Sequence, residues 1–407
     1  MRIKYGLLGE RLSHSYSKII HNRLGNSGYE LFSVDKTNLE KILTAREFAG
    51  LNITIPYKKH AVAFCDRLSD TAKAVGSVNT LVFENGELVG HNTDYAGFSY
   101  MARRAGISFE RMRVLILGSG GTSLTARAVA SDEGAKEITV ISRSGEANYG
   151  NIHRHFDCDI LVNTTPVGMY PDNGRSLVNL DNFTNLRGVI DVIYNPLRTA
   201  LLFDALERGI PCTNGLSMLV SQAGFAHELF FNTRVDDKTV QNVLSSVERD
   251  MSNIVLIGMP GCGKSTIGKI AARKLKRRFI DTDALIEKKT GKFIPDIFSE
   301  DGEEAFRRIE SEVICEIGKL SGAVIATGGG AVTWEENYRH LKQNGTVFFI
   351  ERELCLLESE GRPLSKSGDL REMYARRLPL YERFADIKIQ NNASPEAAAD
   401  KIISYFA

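Results

Sequence analysis

The stretch GMPGCGKSTIG, Gly258–Gly268, fits the spacing G-x-x-x-x-G-K-[ST] and lies past the middle of a 407-residue chain. A short apolar run, NIVLI (Asn253–Ile257), precedes it, and an Ala- and Ile-patterned stretch that reads as a helix follows. Chance matches to such a spacing occur, but few also stand between a buried strand and a patterned helix. In this arrangement the backbone amides of Gly261, Cys262, Gly263 and Lys264 cradle phosphate oxygens, and the Lys264 ammonium reaches the β- and γ-phosphates. The Ser265 hydroxyl is placed to ligate Mg²⁺, with Thr266 beside it. The loop is therefore read as a nucleoside triphosphate site. Such a unit normally opens a domain, and Met251 stands where a free-standing one could begin. The residues in front of it need their own explanation.

Length makes two or three domains the default. A net charge of +1 with 25% charged residues describes a soluble protein with no broad attraction to nucleic acid or to anionic membranes. The start, MRIKYGLLGE, has no signal-like apolar core, and no run approaches a membrane span. Six cysteines without C-x-x-C spacing argue against a zinc site or a disulfide framework. A cytoplasmic setting is expected, and the oligomeric state is not legible.

Short β-branched runs alternate with amphipathic stretches, the pattern of α/β proteins with mostly parallel sheets. IKYGLLG, ELFSV, LNITI and VNTLVF form a first series, the last turning at ENGE into LVGHN as a hairpin. RVLILG, EITVIS, CDILVNT and GVIDVI form a second series, and NIVLIG, AVIATG and TVFFI a third. MLVSQAGFAHELFF and DDKTVQNVLSSVERD read as helices. The polar ERDMSN, Glu248–Asn253, is the expected boundary before the third series.

A second glycine loop opens the second series. In RVLILGSGGTSLTARAVA, Gly118, Ser119, Gly120, Gly121 and Thr122 turn from strand to helix, where backbone N–H groups can meet a pyrophosphate. The match to G-x-G-x-x-[GA] is imperfect, because Ser123 holds the third position. The next strand ends in Ser142-Arg143-Ser144, with no carboxylate for a ribose 2′-hydroxyl. An arginine between hydroxyls suits a 2′-phosphate, which turns the cofactor toward NADP, although a solvated Arg143 is an ordinary alternative.

The first series carries polar residues that a core does not explain: Ser15 and Ser17 in LSHSYS, Lys58 in NITIPYKK, Asn79 and Thr80 in VNT, Asn92 and Asp94 in HNTD. Singly they have plain roles, such as Asp94 capping the helix YAGFSYMARRAG. Together they resemble the lining of a site for a small hydroxyl-rich acid.

Residues 1 to about 248 resemble shikimate dehydrogenase through SHSYS, NITIPYKK, VNTLV, GHNTDYAGF, GSGGTS, SRS, NTTPVGM and GLSMLVSQAGFAHELF, in that order. Lys18, after HSYS, stands where proline is frequent in the family. The resemblance implies reversible reduction of 3-dehydroshikimate by NADPH, with Lys58 and Asp94 as the catalytic pair. It implies Ser15, Ser17, Thr54, Asn79, Tyr194 and Gln222 around the substrate, and Asn163, Thr164 and Gly215 near the dinucleotide. Residues from about 252 to 407 resemble shikimate kinase through FIDTDALIE, EEAFRRIE, ATGGGAV, GRPLS and RRLPLYER. That resemblance implies ATP as donor, and Asp283, Arg307, Gly329, Gly330 and Arg377 holding shikimate. It also implies Arg362 from a lid onto the phosphates, and Asp281 supporting Mg²⁺ through water. On its own FRRIE would read as a charged helix face with i,i+3 pairing.

The expected fold is α/β throughout. A substrate-binding domain over 1–100, completed by helices at about 217–248, is joined to a Rossmann-type NADP domain over 101–248. A P-loop domain like the nucleoside monophosphate kinases follows over 252–407. Turnover of quinate in place of shikimate is the nearest enzymatic alternative, decided by assaying both acids. A ligand-binding regulator is another; it would have shed Lys58, Asp94, Lys264 and Asp283 and gained a basic segment. His153 and His155 in NIHRHF read as surface rather than a metal site, and Trp334 as packing at a helix start.

Overall fold

The computed structural model describes residues 4–10, 12, 15–357 and 370–406. The chain divides into two compact units, Met1–Tyr194 with Thr199–Val247, and Asn195–Arg198 with Glu248–Ala407. Each is built on parallel strands covered by helices.

The first unit holds two sheets. One contains β1 (Tyr5–Gly9), β2 (Tyr29–Ser33), β3 (Gly50–Ile53), β4 (Arg67–Leu68), β5 (Thr80–Glu84) and β6 (Glu87–His91), in the order β2-β1-β3-β5-β6-β4. β1 runs parallel to β2 and β3, whereas β5 is antiparallel to β3 and β6. The turn between β5 and β6 has positive φ at Asn85 (52°) and Gly86 (86°), the backbone a tight hairpin requires. Leu8, Leu51, Leu81 and Leu88 pack with Leu39 and Leu43 as its core. The helix Leu216–Phe231 lies against Thr93–Arg104, and the contact depends on Gly97. A Cβ there would meet the Met218 carbonyl and Gln222 Cβ at 2.9 Å each, so the helices could not close up on any larger residue.

The other sheet comprises β7 (Arg113–Leu117), β8 (Glu137–Ile141), β9 (Ile160–Asn163), β10 (Gly188–Asp191) and β11 (Cys212–Thr213), all parallel, ordered β11-β10-β9-β7-β8. Winding reverses between β7 and β9, the place, at the carboxyl ends of the strands, where such sheets bind ligands.

In the second unit β12 (Asn253–Ile257), β13 (Phe279–Asp281), β14 (Val324–Ala326), β15 (Gly345–Glu351) and β16 (Ile387–Gln390) form one parallel sheet, ordered β13-β14-β12-β15-β16. Alternate residues of central β12 feed opposite cores, Val255 and Ile257 on one face, Ile254 and Leu256 on the other. The expected boundary ERDMSN lies where the units divide: the helix Asp237–Met251 ends within it, leaving only Ser252 before β12. Its apolar stripe, Val240, Val243, Leu244, Val247 and Met251, is buried, and that outweighs the local polarity.

Candidate active sites

In the first unit Lys58 Nζ lies 2.6 Å from Asp94 Oδ2, with side chains 21% and 13% exposed. The two come from different places. Lys58 follows β3, and its carbonyl accepts the Val78 N–H, which sets it beside Asn79. Asp94 sits inside the helix Thr93–Arg104 and does not cap it. Asn92 is the cap, accepting the Tyr95 N–H at 3.3 Å while its amide is spent on Ser77. The capping alternative for Asp94 is therefore wrong, and its carboxylate is free for the cleft.

Behind the pair stands a neutral hydrogen-bonded network. Asn79 Oδ1 accepts the Thr93 N–H (2.8 Å), and Asn79 Nδ2 donates to Thr93 Oγ1 (3.0 Å). Gln222 Oε1 lies 3.2 Å from Thr93 Oγ1 and 3.5 Å from Asn79 Nδ2. Deeper in, Tyr29 Oη donates to Asn52 Oδ1 (2.7 Å), and Asn52 Nδ2 donates to Thr80 Oγ1 (2.9 Å). The His21 ring stacks on Tyr29 at 3.8 Å, and burial, then the nearby His227, pushes its pKa down to about 3. Thr54 is tied to β1 through Leu8 O, and a Cβ on Gly9 would meet its methyl at 2.5 Å. Ser15 Oγ accepts the Ser17 N–H at 3.3 Å at the start of the helix Ser17–Arg23, and Tyr16 between them meets Tyr194 edge-on at 6.3 Å. Thr93, Asn52 and Tyr29 were missed in sequence; their partners are distant along the chain, and no local pattern marks them.

At the crevice, Gly118 has φ +100°, closed to other residues, and a Cβ there would meet Thr164 and Thr165. The helix Gly121–Asp132 begins at this turn, while added Cβ atoms at Gly120 and Gly121 would meet nothing within 4 Å. That open cradle at a helix N-terminus fits a pyrophosphate. Ser123, which broke the glycine spacing, is buried and small enough for the helix to sit on the strand. Ser142 and exposed Arg143 follow directly on β8. Asn163, Thr164 and Gly215, expected near the dinucleotide, each have a structural tie of their own. Asn163 turns inward, its amide donating to Asp191 and its oxygen accepting from Thr165, which shapes the loop. Gly215 is demanded by packing, since a Cβ would fall 2.0 Å from Val192 O. Thr164 Oγ1 likewise donates to Leu117 O at 2.7 Å.

The second unit has a cavity of about 640 Å³ between the phosphate loop and the helix Gly302–Gly318, within the range of small-ligand sites. Gly261 and Gly263 take positive φ (84° and 97°). Lys264 Nζ is held by the carbonyls of Gly258 (2.8 Å) and Met259 (3.0 Å), and Cys262 is fully buried beneath. Asn391, at the end of β16, donates to Cys262 O at 2.8 Å from 129 residues away. Ser265 Oγ donates to Asp281 Oδ2 at 2.6 Å, and Asp281 caps the helix Thr282–Thr290. Thr266, Asp283, Gly329, Gly330 and Arg377 also line the cavity.

Arg307 is buried, pairing with Glu310 at 2.6 Å, so the i,i+3 spacing of FRRIE makes a core ion pair and not a solvated one. A Cβ on Gly330 would strike Arg307 Nη2 at 2.1 Å. Arg377 donates to Gly329 O at 3.1 Å. Asp283 Oδ1 is buried without a hydrogen-bond partner, and burial, then Asp281, raises its pKa. A more basic carboxylate is a better acceptor for a hydroxyl proton. Burial also raises Glu310, opposed by Arg307. Glu310 stood in the quoted motif without a role; the structure makes it the partner that orients Arg307. Arg362 lies outside the described residues. His153 and His155 fall on a short turn, and no cluster of metal-ligating side chains occurs among the described residues.

A family model described as shikimate dehydrogenase substrate binding domain matches residues 7–81, and one described as shikimate kinase matches residues 260–407. The chain is 36% identical over 265 residues to the shikimate dehydrogenase (NADP(+)) of Clostridium beijerinckii, covering 60% of this chain and 98% of that one. Among solved structures it resembles a chorismate mutase/shikimate 5-dehydrogenase fusion protein from Clostridium acetobutylicum. The TM-score is 0.57 at 32% identity, over 61% of this chain and 98% of that one. It also resembles shikimate 5-dehydrogenase from Thermus thermophilus in complex with NADP(H) and shikimate. That TM-score is 0.54 at 28% identity, over 60% and 98%. The chain therefore belongs to the shikimate dehydrogenase family and carries, in the same polypeptide, a shikimate kinase domain.

Proposed function

We propose that the first unit reduces 3-dehydroshikimate to shikimate with NADPH, reversibly, and that the second phosphorylates shikimate with ATP to shikimate 3-phosphate. The observation that carries this reading is the coexistence in one chain of the Lys58–Asp94 pair at 2.6 Å and a phosphate loop sharing its cavity with Arg307 and Arg377.

NADPH, when bound, supplies the hydride. Its fit rests on the open glycine cradle and on Arg143 flanked by Ser142 at the end of β8. As the ketone becomes an alcohol, charge builds on its oxygen; the Lys58 ammonium stabilises that charge and Asp94 orients the ammonium. One proton from this pair completes the hydroxyl. Ser15, Ser17, Thr54, Asn79, Gln222 and Tyr194 hold the acid and its remaining hydroxyls.

In the second unit ATP supplies the γ-phosphoryl group. Asp283 accepts the proton of the attacking hydroxyl, and Arg307 and Arg377 present planar donors to the carboxylate. Lys264 offsets phosphate charge. Ser265 and Asp281 place two hard oxygen donors together, a set that suits Mg²⁺, with Asp281 acting through water. No helix among the described residues is long and apolar enough to cross a membrane. The six cysteines are free, which fits a reducing, cytoplasmic setting.

The test is a coupled assay with 3-dehydroshikimate, NADPH, ATP and Mg²⁺. NADPH should be consumed and shikimate 3-phosphate should form, and shikimate should accumulate when ATP is withheld. A preparation that oxidises no NADPH with the ketone and makes no ADP with shikimate would refute the reading.

A further inference from the structure

Asp191, the last residue of β10, is completely buried, and the proposed chemistry makes no use of it. Its carboxylate receives donors from three segments. Asn163 Nδ2 (3.0 Å) and the Ile193 N–H (3.1 Å) meet Oδ1, and the Thr199 hydroxyl (2.7 Å) meets Oδ2. Each donor leads somewhere. Asn163 Oδ1 accepts the Thr165 N–H (3.0 Å) and hydroxyl (2.7 Å), fixing the first turn of the loop assigned to the cofactor. Ile193 precedes Tyr194, whose ring meets Tyr16 between the two substrate-side serines. Thr199 caps the helix Ala200–Glu207 and abuts Gly168 in the cofactor loop, where a Cβ would lie 3.8 Å from the Thr199 Cβ.

A buried carboxylate is tolerated only when its oxygens are hydrogen-bonded, and it is the one short side chain that accepts at both ends. Asparagine would keep an accepting oxygen for Asn163 and Ile193 but turn an NH₂ toward Thr199, with the negative charge lost. We propose that Asp191 is a positioning residue that sets the cofactor loop and the Tyr194 wall of the substrate pocket together. The inference rests on the dehydrogenase reading of this cleft.

The test uses the full chain carrying Asp191→Asn, with Asn163→Ala and Tyr194→Phe as comparators. Steady-state constants are measured for NADPH and for 3-dehydroshikimate, with NADPH binding followed separately by fluorescence. Asp191→Asn should raise KM for both ligands by roughly tenfold and weaken NADPH binding similarly, the scale of one hydrogen bond to a charged group. Its kcat should fall much less. Asn163→Ala should move chiefly the NADPH constant, and Tyr194→Phe chiefly the substrate constant. Phosphorylation of added shikimate by the same preparation should be unchanged, which reports that the second unit is folded, and a kcat near the parent's reports the same of the first. If Asp191→Asn leaves both constants within about twofold of the parent, or moves only one, the shared-anchor role is wrong. An unmodified chain that does not reduce 3-dehydroshikimate would instead sink the activity reading, and the fluorescence titration would still judge Asp191.

Discussion

The two clefts treat a lysine in opposite ways. Lys58 is offered a carboxylate, Asp94, at 2.6 Å, and the wall behind it is neutral: Asn79, Thr93, Gln222, then Asn52 and Tyr29. Lys264 is offered backbone carbonyls, and the wall behind its cavity is ionic: Arg307 against Glu310, with Asp283 near. Proton delivery to a carbonyl needs an ammonium with a base beside it. Transfer of a phosphoryl group needs an ammonium whose charge is left for the incoming anion. On the proposed reading both clefts take the same acid, the first through hydroxyls and amides and the second through arginines.

The hardest test of that contrast is to remove each proton-handling group alone. Lys58→Ala should lower the dehydrogenase kcat by roughly 10³ and leave phosphorylation intact, and Asp283→Asn should do the reverse on a similar scale. Loss of both activities from either change would break the comparison. The ionic wall should also cost more to damage than the neutral one. Arg307→Ala leaves Glu310 buried without its cation and should destabilise the second unit by about 3–5 kcal/mol, read by denaturant unfolding. A change under about 1 kcal/mol would show that the pair is solvated after all.

The neutral wall has its own signature, in pH. Burial holds His21 at about 3, while in the unfolded chain it protonates near the ordinary imidazole value. The unfolded state therefore binds the extra proton as pH falls. Stability from this residue is complete above about 6.5 and is lost progressively toward 3, by about 3 kcal/mol at pH 4. His21→Phe, which can still stack on Tyr29, should flatten that loss in urea titrations at pH 7 and pH 4; an undiminished loss would clear His21 of it. Smallest of all, Gly330→Ala should push Arg307 aside and raise KM for shikimate roughly tenfold with KM for ATP unmoved. An equal rise in both would point to a distorted phosphate loop.

Much of this architecture was legible because its signals are local. The phosphate loop sits between a fully buried strand and a helix, and Asn85-Gly86 is a strong turn signal. Other elements were too short to show a period: β4 and β11 have two residues each, and their strand character comes from β6 and β10 alongside. β16 alternates over only four residues. The boundary at Glu248–Asn253 was legible too, although the helix Asp237–Met251 carries its buried stripe into that polar stretch. Site residues followed the same division. Lys264 was legible as chemistry from its own loop, whereas the roles given to Lys58, Asp94 and Arg307 came only with the family resemblance. The inward turn of Asn163, the partnership of Glu310 and the anchoring by Asp191 depend on atoms brought together from afar. Asn79 and Gln222, for instance, are 143 residues apart. Spacing in sequence carries no trace of such meetings.

The clamp of Asn391 on the phosphate loop has a consequence for how the second unit comes into being. The loop leaves the ribosome well before the strand that grips it, 129 residues later. A nascent chain can thus show the whole glycine signature before the side chain that ties its Cys262 carbonyl has been made. A chain halted before β16 would bear the motif and lack that tie.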